Sequence, residues 1–238
     1  MSTAIHDRLA ANRRSVLDRM AAACGRVGRD AAGATLVAVT KMARTEWIQA
    51  LVELGQNELA ENRPQQLAER AAQVAGPVHW HLIGHLQRNK ARRTLPLVAM
   101  IHSVDSLRLL TTLDQLASEL NLHPRVLLEV NVSGEASKDG FPREELLAAW
   151  DHVLNCGHVR VEGLMTMAPL SEKPNDARPT FAGLRELRDE LRSRSSSDVP
   201  LPHLSMGMSG DFEVAIEEGA TLVRVGSALF DGLMNRES

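Results

Sequence analysis

The chain has 238 residues, close to the roughly 250 of one α/β barrel, with 44% hydrophobic and 24% charged residues. A net charge of −3 excludes a general attraction to nucleic acid or anionic membrane, so neither partner is expected. Cys24 and Cys156 are too few for a disulfide framework, and no run approaches the roughly 20 apolar residues of a membrane span. With no apolar leader segment in its first residues, the chain is expected to be cytoplasmic.

The first segment reads as an N-terminal helix with Ile5, Leu9, Val16, Met20 and Val27 on one face, loosened by Gly25 and Gly28. Thr35 to Thr40 is a short β-branched run suited to a strand buried on both sides. Thr45 is placed to cap a helix that turns Trp47, Ile48, Leu51 and Leu54 inward and stops at Gly55. Asn57 to Glu61 can form a second strand, and Pro64 suits the first turn of the helix that follows.

Six further strands are predicted: Val78 to Ile83, Val98 to Val104, Arg125 to Val132, Val159 to Met167, His203 to Met206 and Thr221 to Val225. Helices are predicted between them at Gln87 to Arg93, Ser106 to Leu120, Pro142 to Asn155, Pro179 to Arg194 and Asp211 to Glu218. The serine-rich Arg192 to Asp198 reads as a surface loop, and no linker divides the chain. Eight βα units imply a parallel sheet, either one closed (β/α)8 TIM barrel over residues 1–238 with an extra N-terminal helix, or an open doubly wound sheet.

In such a barrel, function belongs to the loops after the strands. Lys41 follows strand 1 directly. It either reaches solvent or enters the barrel mouth, where desolvation would free the amine for Schiff-base chemistry. After strands 7 and 8 come Ser205-Met206-Gly207-Met208-Ser209-Gly210 and Arg224-Val225-Gly226-Ser227. These suit a phosphate through glycine backbone, serine hydroxyls and free N–H groups, or they are ordinary turns. Arg224 is either paired with a carboxylate or aimed at a ligand.

Several motifs occur in order: Val39-Thr40-Lys41, Glu61-Asn62, His81 through Lys90, Asn131 through Gly140, Gly163 through Met167, Ser205 through Ser209, and Arg224 through Ser227. Together they resemble the pyridoxal phosphate homeostasis proteins, single-domain relatives of the alanine racemase N-terminal barrel. The resemblance implies that Lys41 carries pyridoxal 5′-phosphate as a Schiff base. Ser205, Ser209, Gly226 and Ser227 would line the phosphate, and Arg224 would face the pyridine nitrogen. Asn62, Met165 and Met208 would flank the ring, with His81 standing behind the residues that touch it. The family usually shows Phe-Gly before its Glu-Asn, where this chain has Leu59-Ala60 before Glu61-Asn62, and Arg63 stands where an aromatic residue commonly follows.

The resemblance offers two functions: a non-catalytic carrier that buffers and delivers the cofactor, or an amino-acid racemase of weak or unusual activity. A racemase of this fold uses a lysine and a tyrosine on opposite faces of the substrate, the tyrosine coming from a second domain. This sequence has no tyrosine and ends just after strand 8. The carrier reading is therefore expected, with no catalytic residues, as a monomer that transiently meets pyridoxal phosphate-dependent apo-enzymes. His79, His81 and His85 suggest a metal site, but no carboxylate or cysteine nearby in sequence completes it, and none is expected. Arg88, Lys90, Arg92 and Arg93 read as a solvated helix face.

Overall fold

A computed structural model describes residues 3–135, 138–195 and 199–233, so part of the serine-rich loop and Ala136 and Ser137 of the Asn131 motif lie outside the described residues. Eight parallel strands close into a barrel in sequence order, with β1 hydrogen-bonded to both β2 and β8. They are β1 (Thr35–Val39), β2 (Glu58–Glu61), β3 (His79–Leu82), β4 (Met100–Val104), β5 (Arg125–Glu129), β6 (Arg160–Met165), β7 (His203–Ser205) and β8 (Leu222–Val225). The closed barrel that the eight βα units favour is what forms, and the β1–β8 pairing Val37↔Arg224 excludes the open-sheet alternative.

The outer layer contains α2 (Thr45–Glu53), α3 (Pro64–Gln73), α4 (Arg88–Thr94), α5 (Leu107–Leu120), α6 (Arg143–Ala148), α7 (Trp150–Leu154), α8 (Arg178–Arg194) and α9 (Phe212–Glu217). Before them, α1 (Thr3–Arg26) lies against α2 and α9 and buries Leu9, Val16 and Met20. Arg19 and Arg26 on α1 pair with Glu213 and Glu217 on α9, and Asn12 Nδ2 donates to the carbonyls of Leu229 and Asp231. The extra helix thus ties the start of the described chain to its end.

Strand alternation sorts the side chains into two environments. Leu59, Trp80, Leu82, Ile101, Val126, Leu128 and Val223 join the large core between barrel and helices, whereas Val37, Val39, Ala60, Met100, Leu127, Met165 and Leu222 form a separate cluster inside the barrel. The interior is not purely apolar. Positions in the same inward register hold His81, His102, Glu129, Ser205 and Arg224, all buried.

Three local expectations are corrected. Val27 is 42% exposed, because α1 ends at Arg26 and the chain then turns through Gly28 at φ +66°. Thr45 does not cap α2. Arg44 occupies the cap position, and Thr45 Oγ1 instead donates to Gln73 Oε1. The predicted helix Pro142 to Asn155 breaks at Ala149 into α6 and α7. The break accompanies burial of Trp150, whose indole Nε1 donates to Ser195 Oγ at 2.8 Å.

Candidate functional site

At the C-terminal ends of the strands, where barrels of this kind carry their sites, lies a cavity of about 360 Å³. This volume falls at the lower end of the range for small-ligand pockets. Lys41 and Asn62 enter from the loops after β1 and β2, Met208 and Ser209 from the loop after β7, and Gly226 and Ser227 from the loop after β8. Arg224, within β8, reaches the cavity from below. Seven of the sequence-predicted site residues therefore surround one space.

Each is held by its neighbours. The Gln66 side chain on α3 donates to the Lys41 carbonyl at 2.9 Å. Below it, Thr40 Oγ1 donates to Glu61 Oε1 at 2.6 Å, joining the tips of β1 and β2. Burial pushes the Glu61 carboxyl up, against the pull of that hydrogen bond and of the Arg70 charge. Lys41 itself is an exposed residue at the rim of the cavity. Asn62 packs against Gly84, where an added Cβ would stand 2.2 Å from the Asn62 carbonyl oxygen.

Across the cavity, Ser209 Oγ accepts from the backbone N–H groups of Gly226 (3.2 Å) and Ala228 (3.3 Å). Two amide donors thus converge on one oxygen, the arrangement that suits an anion's oxygen. Gly207 makes the approach possible, because its φ of +92° places the backbone where a Cβ would meet Phe212 Cα at 2.9 Å.

Arg224 is 4% exposed. Its guanidinium donates to Ser205 Oγ at 2.6 Å and to the Thr166 carbonyl at 3.0 Å. Burial lowers it to about 10, with the charges of Glu129 and Asp211 opposing, which leaves it a cation at neutral pH. Glu129 is pushed up to about 7 by its own burial, offset in part by Arg224.

Met165 and Ser205 are not brought into the cavity wall. Both are buried, Met165 within the apolar barrel interior and Ser205 beneath Arg224. Their place above is taken by Met167, expected from sequence to end the strand: β6 stops at Met165, so Met167 lies beyond it at the rim. Val39, Ile83 and Gly210 also line the cavity. The alternation Val37-Ala38-Val39 was the available signal for Val39.

The three histidines do not converge. His79 and His81 share the Glu58 carboxylate, at 2.7 and 2.6 Å, and His85 pairs with Asp105. Glu58 is a neighbour in the barrel rather than in sequence, so spacing gave no sign of it. Among the described residues no group of three or more His, Cys, Asp or Glu could hold a metal ion. Among the described residues no helix is long and apolar enough to cross a membrane. A larger depression of about 580 Å³ lies at the opposite end of the barrel, beside Arg125, Glu162 and His203. Arg125 is paired with Glu162 at 2.7 Å, and His203 lies 3.7 Å from the same carboxylate, so these charges are engaged with one another.

Comparison with known proteins gives concordant findings. The family described as "Alanine racemase, N-terminal domain" matches residues 5–233. A protein of Aquifex aeolicus named pyridoxal phosphate homeostasis protein is 44% identical over 216 residues, covering 90% of this chain and 94% of its own. The PipY structure of Synechococcus elongatus with PLP bound is 33% identical at a TM-score of 0.80, covering 90% of this chain and 99% of that one. Alanine racemase from Corynebacterium glutamicum superposes with a TM-score of 0.74 at 16% identity, covering 97% of this chain and 63% of that one. That last likeness shows the fold alone.

Proposed function

The chain belongs to the pyridoxal phosphate homeostasis proteins of the alanine racemase N-terminal domain family, and on that premise we propose that it holds pyridoxal 5′-phosphate through a Schiff base to Lys41 Nζ. Its role would be to buffer the cofactor and release it to apo-enzymes, as a single-domain cytoplasmic monomer without substantial turnover. When bound, the cofactor supplies an aldehyde that condenses reversibly with primary amines.

The observation that carries this reading is that one amine, a pair of convergent backbone amides and a buried guanidinium all line a single cavity. The residues fit the group. Ser209, Gly226 and Ser227 would take the phosphate, since the Gly226 and Ala228 amides already converge and the Ser209 hydroxyl hydrogen is free to donate outward. Arg224 would meet the pyridine nitrogen. It has no acceptor and stays charged, so it would keep that nitrogen unprotonated and the ring a poor electron sink. Met208, Met167 and Ile83 offer apolar contact to the ring, with Asn62 at its edge. Ser205 and Met165 would support this floor from below.

A holding role agrees with the groups present. Two-base racemisation needs a proton acceptor on each face of the substrate, and the chain has no tyrosine to supply the second. The test is borohydride reduction of the protein loaded with pyridoxal phosphate, followed by peptide mapping. The adduct is expected on Lys41 and lost in Lys41→Ala. A reducible adduct at unchanged stoichiometry in Lys41→Ala would overturn the assignment.

A further inference from the structure

A continuous line of hydrogen bonds runs from the cavity arginine through the barrel interior to the opposite mouth. Arg224 meets Ser205 Oγ at 2.6 Å, and Ser205 Oγ meets His102 Nδ1 at 2.8 Å. His102 Nε2 meets His81 Nδ1 at 2.8 Å, and His81 Nε2 meets Glu58 Oε2 at 2.6 Å. The other Glu58 oxygen meets His79 Nδ1 at 2.7 Å, and the His79 side chain is 58% exposed. Glu58 and His79 are the first residues of β2 and β3 and face each other in register, so the line ends at the N-terminal face of the barrel.

Both ends fit one direction. Arginine has only donors, so Ser205 Oγ accepts from Arg224 and its own hydrogen is free for His102 Nδ1. A carboxylate only accepts, so His81 Nε2 carries hydrogen and, in a neutral ring, Nδ1 must accept from His102 Nε2. With both rings neutral, the two ends agree: His81 and His102 each carry their hydrogen on Nε2. Burial of Glu58 raises its carboxyl, but the hydrogen bonds from His81 and His79 outweigh this and bring it down to about 2. It is therefore the anionic terminus of a line whose other end is a cation.

His102 is fully buried. Burial presses its imidazolium form far down, and the permanent guanidinium charges of Arg224 on β8 and Arg125 on β5 add to this, with the His81 and His203 rings of β3 and β7 also facing it. A ring that cannot take up a second proton transmits orientation rather than charge. If it did take one, Nδ1 would become a donor, and Ser205 Oγ, already accepting from Arg224, would have to turn its hydrogen elsewhere.

We propose that His102 is a positioning residue for Arg224, and that the directed line Arg224–Ser205–His102–His81–Glu58 lets the closed face of the barrel set the guanidinium that meets the cofactor ring. This rests on the reading of Arg224 as the ring's partner. It assigns a task to two buried histidines and a carboxylate that cofactor binding does not itself require.

Two measurements test it separately. In protein without added pyridoxal phosphate, nitrogen-15 spectra of the imidazoles should show His81 and His102 neutral at pH 7 with hydrogen on Nε2. Either ring in the Nδ1–H form, or charged, would overturn the directed line, whatever the protein binds. In protein loaded with pyridoxal phosphate, His102→Leu should shift the visible absorption maximum and the midpoint of its pH titration. The same change should weaken cofactor binding about fivefold, the factor one lost hydrogen bond gives. His102→Gln, whose amide can still accept from Ser205 and donate to His81, should move both readings back toward the original. Ser205→Ala removes a single hydroxyl and should reproduce the spectral shift if His102→Leu does not fold. A lowered melting temperature with an unmoved spectrum and pH midpoint would reduce the line to a structural role and reject the proposal. If the unaltered protein took up no pyridoxal phosphate, the cofactor reading and the coupling would fall together, while the imidazole spectra would still decide the line.

Discussion

Ser209 Oγ accepts the Gly226 N–H at 3.2 Å and so joins the loop after β7 to the loop after β8. The bond is long for an N–H···O contact, and the same oxygen also receives Ala228 N–H at 3.3 Å. One hydroxyl thus organises the two amides that would hold the phosphate, and the first prediction follows from it. Ser209→Ala combined with Ser227→Ala should weaken pyridoxal phosphate binding by about tenfold or more, while costing about 1 kcal/mol of folding stability. Equilibrium dialysis and urea unfolding measure the two effects. An unchanged dissociation constant would reject the cradle.

Glu129 should make the protein less stable as pH rises. Burial raises its carboxyl in the folded chain from 4.5 to about 7, with Arg224 opposing and Asp105 and Asp139 adding to the rise. Between those two values the folded state keeps a proton that the unfolded state has released, so stability is lost as pH climbs through the window. The loss is on the order of 3 kcal/mol when complete. Glu129→Gln should flatten the dependence and be the more stable form at pH 8, with the advantage vanishing below about pH 4.5. Urea unfolding across this range reads it directly, and parallel curves for the two proteins would contradict it.

Gly84 bears on the site through Asn62. A Cβ at Gly84 would stand 2.2 Å from the Asn62 carbonyl oxygen and 2.5 Å from its Oδ1. Because one of these atoms is backbone, the clash is not relieved by a rotamer change. Gly84→Ala should cost about 1–3 kcal/mol and displace Asn62 from the cavity wall. Loss of cofactor affinity beyond what Asn62→Ala causes alone would show that the β2 loop has moved as a unit. Equal affinity for Gly84→Ala and the unaltered protein would refute it.

Alanine racemisation should be negligible in the presence of pyridoxal phosphate. The chain offers Lys41 at one side of the cavity and no tyrosine anywhere. Chiral chromatography of L-alanine incubated with the loaded protein measures the rate. Turnover at about 1 s⁻¹ or faster, the low end of ordinary enzymes, would replace the carrier reading with a catalytic one.

By itself the sequence determined the eight βα units, the extra helix at the start, and the glycine and serine loops after β7 and β8. These are local properties: runs of β-branched residues, amphipathic periods and turn residues are written in consecutive positions. The positions of Lys41, Ser209, Gly226 and Ser227 at or just past strand ends could be read for the same reason, whereas Asn62 and Met208 were named only through the family resemblance. What only the tertiary structure decided is what meets across the barrel. His102 and Ser205 are 103 positions apart and share a hydrogen bond at 2.8 Å because the closing sheet turns β4 and β7 inward toward one axis. Glu58 reaches His81 in the same way, between neighbouring strands separated by a whole helix. Met165 and Met167 divide on where β6 ends, one inside the barrel and one at its rim. Periodicity names the residues that share a strand face, but closure of the sheet chooses their partners.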